Sequence, residues 1–421
     1  AWHGVVEAGD PTELRGSVDD AESKGLLFDL RSAHEGKIYG LAFSRDNFLA
    51  SGGTDRVASV WDLSRLGSLK SQQQQEGDFH PPAAKPVRRF KGHEGAVTAV
   101  AFASMALQSP LLISGSADNS SRVWNLTSGR SVKVLPHPKT VFGVAVDRED
   151  STCATACWDG VVRLYRVPSF ELRAELTGHS GGLYSVAFSP MDSSLLASAS
   201  ADRSVRIWDL TAGEEPPRLL WRLQGHGDHV TSVDWSPVEP ATLSSTSWDR
   251  KFRLWTIPQE EVSACKTQRG RCADRLAPSF VRKHPQLVWR TAFSPDGMWV
   301  AACHGAVGQS PTVIIYDVHT GAVLRRLGRH RDTPLMMAWA PSGHMLASAG
   351  MDRRILVYDS TLPADDLPQG DLDDVEEQLQ WKLDLQNFLS GREIQNTTGE
   401  GNHTETMPNI PHPLRNHGVI F

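Results

Sequence analysis

One spacing of polar and aromatic residues recurs six times along this chain of 421 residues. In each copy a Ser or Thr is followed four positions later by Asp and six positions after that by Trp or Tyr, and a His lies 21 to 25 residues before the Asp. The copies are His34, Ser51, Asp55 and Trp61; His93, Ser114, Asp118 and Trp124; His137, Thr155, Asp159 and Tyr165; His179, Ser198, Asp202 and Trp208; His226, Ser245, Asp249 and Trp255; and His330, Ser348, Asp352 and Tyr358. A period of about 40–50 residues built from short apolar runs indicates a radial repeat fold.

The fourth copy illustrates what each repeat forms. Its three apolar runs, 183–188, 195–199 and 205–208, are separated by short polar turns. Short β-branched and aromatic segments punctuated by Gly, Asp and Pro are typical of antiparallel strands. Each repeat is therefore predicted to form a small antiparallel sheet.

Two dipeptides identify the kind of repeat. A Gly-His pair opens a copy and a Trp-Asp pair closes it, as at Gly178-His179, Gly92-His93, Gly225-His226, Trp208-Asp209 and Trp61-Asp62. In these features the chain resembles the WD40-repeat proteins over residues 26–360. The resemblance implies an all-β fold, a seven-bladed WD40 β-propeller with a C-terminal helical or coil extension.

The count of seven depends on one degenerate unit. His284, Phe293 and Tyr316 hold the expected places, but the stretch 304–310 replaces the turn Asp. In the family an N-terminal strand closes the ring by joining the last blade, and the resemblance assigns residues 26–30 to that place. The expected divisions are an N-terminal extension at 1–25, the propeller at 26–360 and a tail at 361–421.

The recurring His, hydroxyl residue, Asp and aromatic residue resemble the structural tetrad of this family. The resemblance implies that Asp accepts from His, that His bonds the hydroxyl, and that the hydroxyl bonds the indole N–H. Such a chain satisfies buried polar groups, each of which costs about 1–3 kcal/mol without a partner. A Ser, a His and an Asp also make a catalytic triad, but an enzyme needs one activated nucleophile rather than six. We expect the tetrads to be structural and no residue to be catalytic.

The composition limits the classes of ligand. Charged residues make up 22% of the chain and the net charge is −6, which gives no general case for binding nucleic acid. No apolar run approaches the ~18 residues of a membrane span, and the N-terminus lacks a signal-peptide pattern. Neither a G-x-x-x-x-G-K-[ST] loop nor an H-E-x-x-H pair is present, so no cofactor and no metal is expected.

The five cysteines are odd in number and poorly spaced for disulfides. Cys153 and Cys157 lie on one predicted strand, and Cys265 and Cys272 share a loop without C-x-x-C spacing. This usage predicts reduced thiols and an intracellular location, with the cytoplasm as first choice and the nucleus or an organelle matrix as alternatives.

The link between the fifth and sixth repeats, residues 259–283, reads as a basic surface loop. Its basic side chains include Lys266, Arg269, Arg271 and Arg275. A basic loop can contact phosphates, which would allow RNA binding, although such loops are more often only solvated.

The tail opens with an acidic stretch and then becomes amphipathic. Its apolar stripe consists of Val375, Leu379, Leu383 and Phe388, at helical spacing. A short isolated helix is marginal without a surface to bury it. The stripe therefore packs either on its own propeller or on a partner, and the sequence leaves both open.

A partner surface is predicted from the family's narrow top face. That face presents the third and fifth residues after each His and the residue before each turn Asp. In this chain those positions include Tyr39, Phe142, Trp158, Tyr184, His229, Trp248, Trp289, Leu335 and Met351. Large aromatic side chains anchor protein interfaces, although several could instead pack around the channel.

Because the fold hosts many functions, function must be sought on its faces. The leading prediction is a non-enzymatic protein–protein interaction scaffold, a WD40 subunit of a larger multiprotein complex. A first alternative is a ribonucleoprotein or ribosome-associated subunit that contacts RNA through the basic loop. A weaker alternative is a substrate receptor of a ubiquitin ligase; the Arg that such members often carry two residues after Trp-Asp is absent here.

Overall fold

The computed structural model describes residues 26–31, 33–63, 85–103, 110–211, 217–267, 276–305 and 311–360. These residues form seven four-stranded antiparallel sheets, the blades of a propeller. The predicted seven-bladed fold is therefore confirmed. The expected extension at 1–25, the tail at 361–421 and the stripe of Val375, Leu379, Leu383 and Phe388 lie outside the described residues.

The strands of each blade are given from the centre of the ring outward. Blade 1 is β2 (Ile38–Phe43), β3 (Phe48–Gly53), β4 (Val57–Asp62) and β5 (Arg88–Lys91); blade 2 is β6 (Val97–Ala103), β7 (Leu111–Ser116), β8 (Ser120–Asn125) and β9 (Ser131–Pro136); blade 3 is β10 (Val141–Val146), β11 (Thr152–Cys157), β12 (Val162–Arg166) and β13 (Glu171–Leu176); blade 4 is β14 (Leu183–Phe188), β15 (Leu195–Ser200), β16 (Val205–Asp209) and β17 (Arg218–Leu223). Blade 5 is β18 (Val230–Trp235), β19 (Thr242–Ser247), β20 (Lys251–Thr256) and β21 (Phe280–Lys283); blade 6 is β22 (Val288–Phe293), β23 (Trp299–His304), β24 (Thr312–Asp317) and β25 (Val323–Leu327); blade 7 is β26 (Pro334–Trp339), β27 (Met345–Gly350), β28 (Ile355–Asp359) and β1 (Leu26–Leu30).

The inner strands form a closed ring. Each contacts the inner strand of the next blade, and β26 contacts β2. Neighbouring blades pack through apolar faces, so that Ile207 and Trp221 of blade 4 share a buried cluster with Val233 and Trp255 of blade 5. We call the end of the ring where the inner strands begin the top face and the end where they finish the bottom face.

Strand β1 closes the ring, as predicted. It pairs antiparallel with β28, with Phe28 opposite Val357 and Leu30 opposite Ile355. Between these apolar residues the Asp29 carboxylate pairs with the guanidinium of Arg354, the residue just before β28, and Arg354 Nε lies 2.9 Å from Asp29 Oδ1. Burial alone would raise the pKa of Asp29, but the hydrogen bonds and charge of Arg354 and Arg31 lower it below its usual value. The closing strand is thus held by apolar burial and by an ion pair.

The link at 259–283 is not the simple loop that the sequence predicts. Gln259–Thr267 form helix α1, and Phe280–Lys283 form the outer strand of blade 5. The helix is docked, because the Arg218 guanidinium donates to the carbonyl oxygens of Cys265 and Lys266 at 2.8 and 2.7 Å. Within the described ranges no helix is long and apolar enough to cross a membrane.

The cysteines follow the prediction only in part. Cys153, Cys157 and Cys303 are free and buried, as expected for the pair on one strand. The expectation of a reduced thiol is wrong for Cys265, which is disulfide-bonded.

Candidate functional site

The tetrad residues form hydrogen-bonded chains in five blades. His Nε2 lies 2.7 to 2.8 Å from the Ser hydroxyl, and His Nδ1 lies 2.7 to 3.0 Å from the Asp carboxylate, in blades 1, 2, 4, 5 and 7. In blades 1, 2, 4 and 5 the Trp indole N–H donates to the same hydroxyl at 2.8 to 2.9 Å. In blade 7 the Tyr358 hydroxyl donates to the Gly328 carbonyl at 2.8 Å.

These chains resemble a catalytic triad in composition but not in access. The hydroxyl residues Ser51, Ser114, Ser198, Ser245 and Ser348 are each 0% exposed. A nucleophile must reach its substrate, and these hydroxyls face the interior between sheets. The arrangement instead satisfies polar groups that would be costly if left unpaired.

The Asp carboxylates are the most heavily bonded members of the tetrads. Burial alone would raise the pKa of Asp249, but its hydrogen bond with His226 and those from the backbone N–H groups of Gly227 and Lys251 lower it to about 2. Burial has the largest effect on His226 as well, and it lowers the pKa of that ring although the neighbouring carboxylate of Asp249 would raise it. At neutral pH the carboxylate is ionised and the imidazole is neutral.

Replacing one of these carboxylates is expected to destabilise the fold without any catalytic phenotype. Asp202 accepts from His179 Nδ1 at 2.8 Å and from the Ser204 hydroxyl at 2.6 Å, and it also accepts from two backbone N–H groups. Asp202→Ala leaves these buried donors without an acceptor, so the free energy of unfolding should fall by about 1–3 kcal/mol. Denaturant melts measure this, with Asp46→Ala, in an exposed turn, as the matched control.

The same loss is expected for Asp118→Ala and Asp249→Ala, because their environments repeat that of Asp202. Unchanged unfolding midpoints in all three variants would contradict a structural role for the tetrads.

The third blade differs from the predicted tetrad. Asp159 pairs with Arg163 at 2.7 Å, and His137 Nε2 lies 3.1 Å from the Ser121 hydroxyl of blade 2. In the five complete blades the residue after the His donates its backbone N–H to the Asp. Here that residue is Pro138, which has no N–H to donate. The carboxylate therefore takes Arg163 as its partner.

The sixth blade replaces the tetrad by two histidines. The Tyr316 hydroxyl lies 3.2 Å from His284 Nε2, so the aromatic residue bonds the His directly. The His304 ring stands edge-on to the His284 ring with centroids 5.2 Å apart. Among the described residues His284 Nδ1 and both nitrogens of His304 have no hydrogen-bond partner. Sequence reasoning did not identify His304 as a partner of His284. The available signal was Pro285, which follows His284 as Pro138 follows His137 and indicates an altered tetrad.

The predicted top-face aromatics come together in a continuous cluster on one side of the channel. We call it the aromatic belt; it consists of Phe142, Trp158, Tyr184, His229, Trp248 and Trp289 from blades 3 to 6. Neighbouring ring centroids lie 4.7 to 5.7 Å apart along the chain of contacts from Phe142 to Trp289. The pairs are edge-on or tilted, apart from the stacked rings of His229 and Trp248, and rings at such spacing attract one another.

The polar atoms of the belt are held in place. Tyr184 Oη lies 3.2 Å from His229 Nδ1, and the Trp289 indole N–H donates to the Gly305 carbonyl at 3.3 Å. Burial, and after it the charge of Asp228, raises the pKa of Tyr184, so its hydroxyl stays protonated at neutral pH. Sequence reasoning missed Asp228, which places a negative charge beside the belt.

One glycine shapes the belt. A Cβ atom on Gly182 would lie 2.3 Å from the ring of Trp158, so a side chain there would displace the indole. Trp158 stands in the turn before Asp159 and rests on the Gly182 backbone of the next blade. This contact could not be predicted from the sequence, because the two residues meet only in the folded ring.

Exposure differs among the predicted top-face residues. Trp248 and Leu335 are 8% and 4% exposed, so they support the surface rather than form it. The other belt residues are half-buried, as are Tyr39 and Met351. Tyr39, Leu335 and Met351 lie on blades 1 and 7, and among the described residues none of the three makes a ring contact with the belt.

The basic side chains predicted for RNA contact are not gathered into a described site. The Lys266 ammonium pairs with Asp192 at 2.5 Å and donates to Ser194 at 2.7 Å, so its charge is used within the protein. Arg269, Arg271 and Arg275 lie outside the described residues. No group of three or more potential metal ligands occurs in the part of the chain that the structure describes.

Comparison with known proteins assigns the repeats. The family model described as WD domain, G-beta repeat matches six segments that together cover more than half of the chain, residues 27–62, 84–125, 129–166, 170–209, 217–256 and 321–359. Strands β22 to β24 of blade 6 fall outside the matched segments, in agreement with the lost tetrad of that blade, whereas its outer strand β25 lies within the segment 321–359.

Curated relatives match over parts of their length. The chain is 28% identical over 211 residues to the Anaphase-promoting complex subunit cdc20 of Dictyostelium discoideum. This match covers 49% of the chain and 39% of the relative. The chain is also 30% identical over 179 residues to the Ribosome biogenesis protein WDR12 homolog of Nematostella vectensis. This match covers 39% of the chain and 42% of the relative. The chain thus spans about two fifths of the length of these relatives.

Proposed function

Because the chain belongs to the WD40 repeat family, we propose that it is a non-enzymatic protein-interaction scaffold, a subunit of a larger multiprotein complex. The observation that carries the proposal is the aromatic belt, in which four blades present one continuous set of rings on the top face. The names of the relatives support it, since one is a subunit of the anaphase-promoting complex and another a ribosome biogenesis protein.

The belt has the properties of a protein-binding surface. Aromatic side chains offer a large contact area and lose little conformational freedom on binding, and they dominate the energetics of interfaces. The half-buried rings of Phe142 and Trp158 contact each other and Tyr184. The ring of Trp289 packs edge-on against the buried Trp248. A partner therefore meets a surface that is already organised, which lowers the cost of ordering side chains on binding.

Truncating an exposed ring of the belt is expected to weaken partner binding more than it weakens the fold. Trp158→Ala and Trp289→Ala should each reduce affinity by about 2 kcal/mol or more, roughly 30-fold, if these rings are anchors. The measurement is quantitative mass spectrometry of proteins that co-purify with the tagged full chain, before and after nuclease treatment.

The matched control is Trp299→Ala, because Trp299 is also half-buried but stands on the bottom face at the start of β23. Gly182→Ala offers an independent variant, since it displaces Trp158 without removing a ring. Retention of every partner by Trp158→Ala and Trp289→Ala would remove the belt as the binding site. Loss of partners on nuclease treatment alone would favour contact through RNA.

A further inference from the structure

The bottom face carries an opening that the proposed function does not use. A cavity of about 270 Å³ lies where the inner strands of blades 1 to 4 end. Its floor consists of Phe43, Phe102, Val146 and Phe188, which stand at or next to the last position of β2, β6, β10 and β14. All four are half-buried, so an apolar surface faces outward at the mouth of the ring.

The opening is confined to one side of the ring. At the same strand position, blades 5 to 7 carry Trp235, Phe293 and Trp339, which are only 3%, 6% and 8% exposed. The indole N–H of Trp235 donates to the Ala187 carbonyl at 3.0 Å, and that of Trp339 donates to the Ala292 carbonyl at 3.1 Å. These blades fill their part of the mouth with their own side chains.

Among the residues that line the cavity, the exposed charged side chains are basic. Arg45 and Arg148 are exposed and donate to the backbone carbonyls of Arg148 and Pro190 at 2.5 and 3.3 Å. Neither guanidinium forms an ion pair with a carboxylate among the described residues. Asp147 and Asp150 also line the cavity, but they are 4% and 5% exposed, and Asp147 accepts hydrogen bonds from its own turn.

The described chain ends on this same face. β28 is antiparallel to β27, and β27 is antiparallel to β26, so β28 finishes where the inner strand β26 finishes. Ser360 follows β28, and its backbone N–H donates to the His344 carbonyl at 3.1 Å, in the turn that joins β26 to β27. Blade 7 neighbours blade 1, which supplies Phe43 and Arg45 to the cavity.

The sequence that follows Ser360 has the complementary chemistry. Leucines and aspartates alternate in short groups over residues 362–374, where the leucines are Leu362, Leu367 and Leu372 and the aspartates are Asp365, Asp366, Asp371, Asp373 and Asp374. Seven residues of extended chain reach up to about 24 Å, which allows Leu367 to cross from blade 7 to its neighbour.

We propose that residues 362–374 occupy the bottom cavity of their own propeller, with leucines on the phenylalanine floor and aspartates paired with Arg45 and Arg148. Leucine burial supplies the apolar contribution, and the two guanidinium groups set the orientation through charge-assisted hydrogen bonds. The inference is independent of the belt, which lies on the opposite face.

Photo-crosslinking of the full chain tests the inference. With benzoylphenylalanine in place of Pro190, which lines the cavity, we expect an intramolecular crosslink that peptide mapping places within 362–374. The same probe in place of Val238, exposed in the corresponding turn of blade 5, should give at least tenfold less of this product. The crosslink yield per protein molecule should not change when the protein is diluted, because the crosslink is intramolecular.

Charge exchange makes the test specific. Arg45→Glu with Arg148→Glu should abolish the crosslink, and adding Asp365→Lys with Asp366→Lys should restore it. Crosslinks that weaken on dilution would mean that a second copy supplies the segment, which overturns occupancy in cis. Equal yields from positions 190 and 238, no mapped product, or no response to either charge change would also overturn it. None of these readouts involves the belt or its partners, so the two proposals fail separately.

Discussion

Deletion of residues 1–31 is expected to convert the protein into aggregates that elute in the void volume of a sizing column and lack a cooperative melt. The deletion removes β1 and leaves the backbone groups of β28 without a neighbour. It also uncovers the surface that Phe28 and Leu30 bury, and each such side chain contributes about 1.5–3 kcal/mol. An unpaired apolar edge is a template for pairing with another molecule.

A shorter deletion provides the control. Removal of residues 1–24 leaves β1 intact and should give the elution volume and melting curve of the full chain. A point variant gives an intermediate case, because Arg354→Ala breaks the ion pair with Asp29 but keeps the strand. Closure by β1 would be contradicted if the protein lacking residues 1–31 eluted and melted like the full chain.

The parts of this fold that the sequence predicts are those encoded by short-range spacing. Each turn Asp and its Trp are ten or fewer residues from the tetrad hydroxyl along one hairpin, so their contacts are repeated wherever the spacing is repeated. The belt was predictable for the same reason, since its rings occupy equivalent positions in consecutive blades. The exposure of these rings was not predictable, because Trp248 is covered by Tyr184 and Trp289 of the two neighbouring blades.

The features that the sequence did not predict depend on contacts between distant segments or on one absent backbone N–H donor. Helix α1 is short, and it is stabilised by Arg218 at its C-terminal carbonyls and by the burial of Val262 against blades 4 and 5. In the sequence Lys266 looks like a free cation, but in the fold Asp192 lies beside it and pairs with its ammonium group. In the third blade the spacing survives, while Pro138 removes the backbone N–H that the tetrad needs.

Acidification from about pH 7.5 to about pH 5 is expected to lower the free energy of unfolding by several kcal/mol. Burial, together with the charge of Arg163 for His137 and of Arg326 for His304, lowers the pKa of each ring to about 4. The unfolded chain binds these protons near pH 6.5, whereas the folded chain excludes them, so stability is lost as the pH falls from about 6.5 to about 4. Each ring accounts for about 2 kcal/mol at pH 5.

The carboxylates of the tetrads extend this loss to lower pH. Their pKa values are lowered on folding, to about 2 for Asp249, so the contribution present above pH 4 disappears between about pH 4 and pH 2. The two windows separate histidine from carboxylate effects in a series of denaturant melts across pH.

One substitution isolates a single ring. His304→Phe removes a titrating group whose nitrogens have no hydrogen-bond partner among the described residues, so stability at pH 7.5 should be preserved to within about 1 kcal/mol. At pH 5 the variant should then be more stable than the natural chain by about 2 kcal/mol, because the folded state no longer excludes that proton. His179→Phe is the contrasting control, since both nitrogens of His179 are bonded and its loss should destabilise the protein at either pH. A pH profile for His304→Phe that runs parallel to that of the natural chain would show that His304 is not a source of the acid sensitivity.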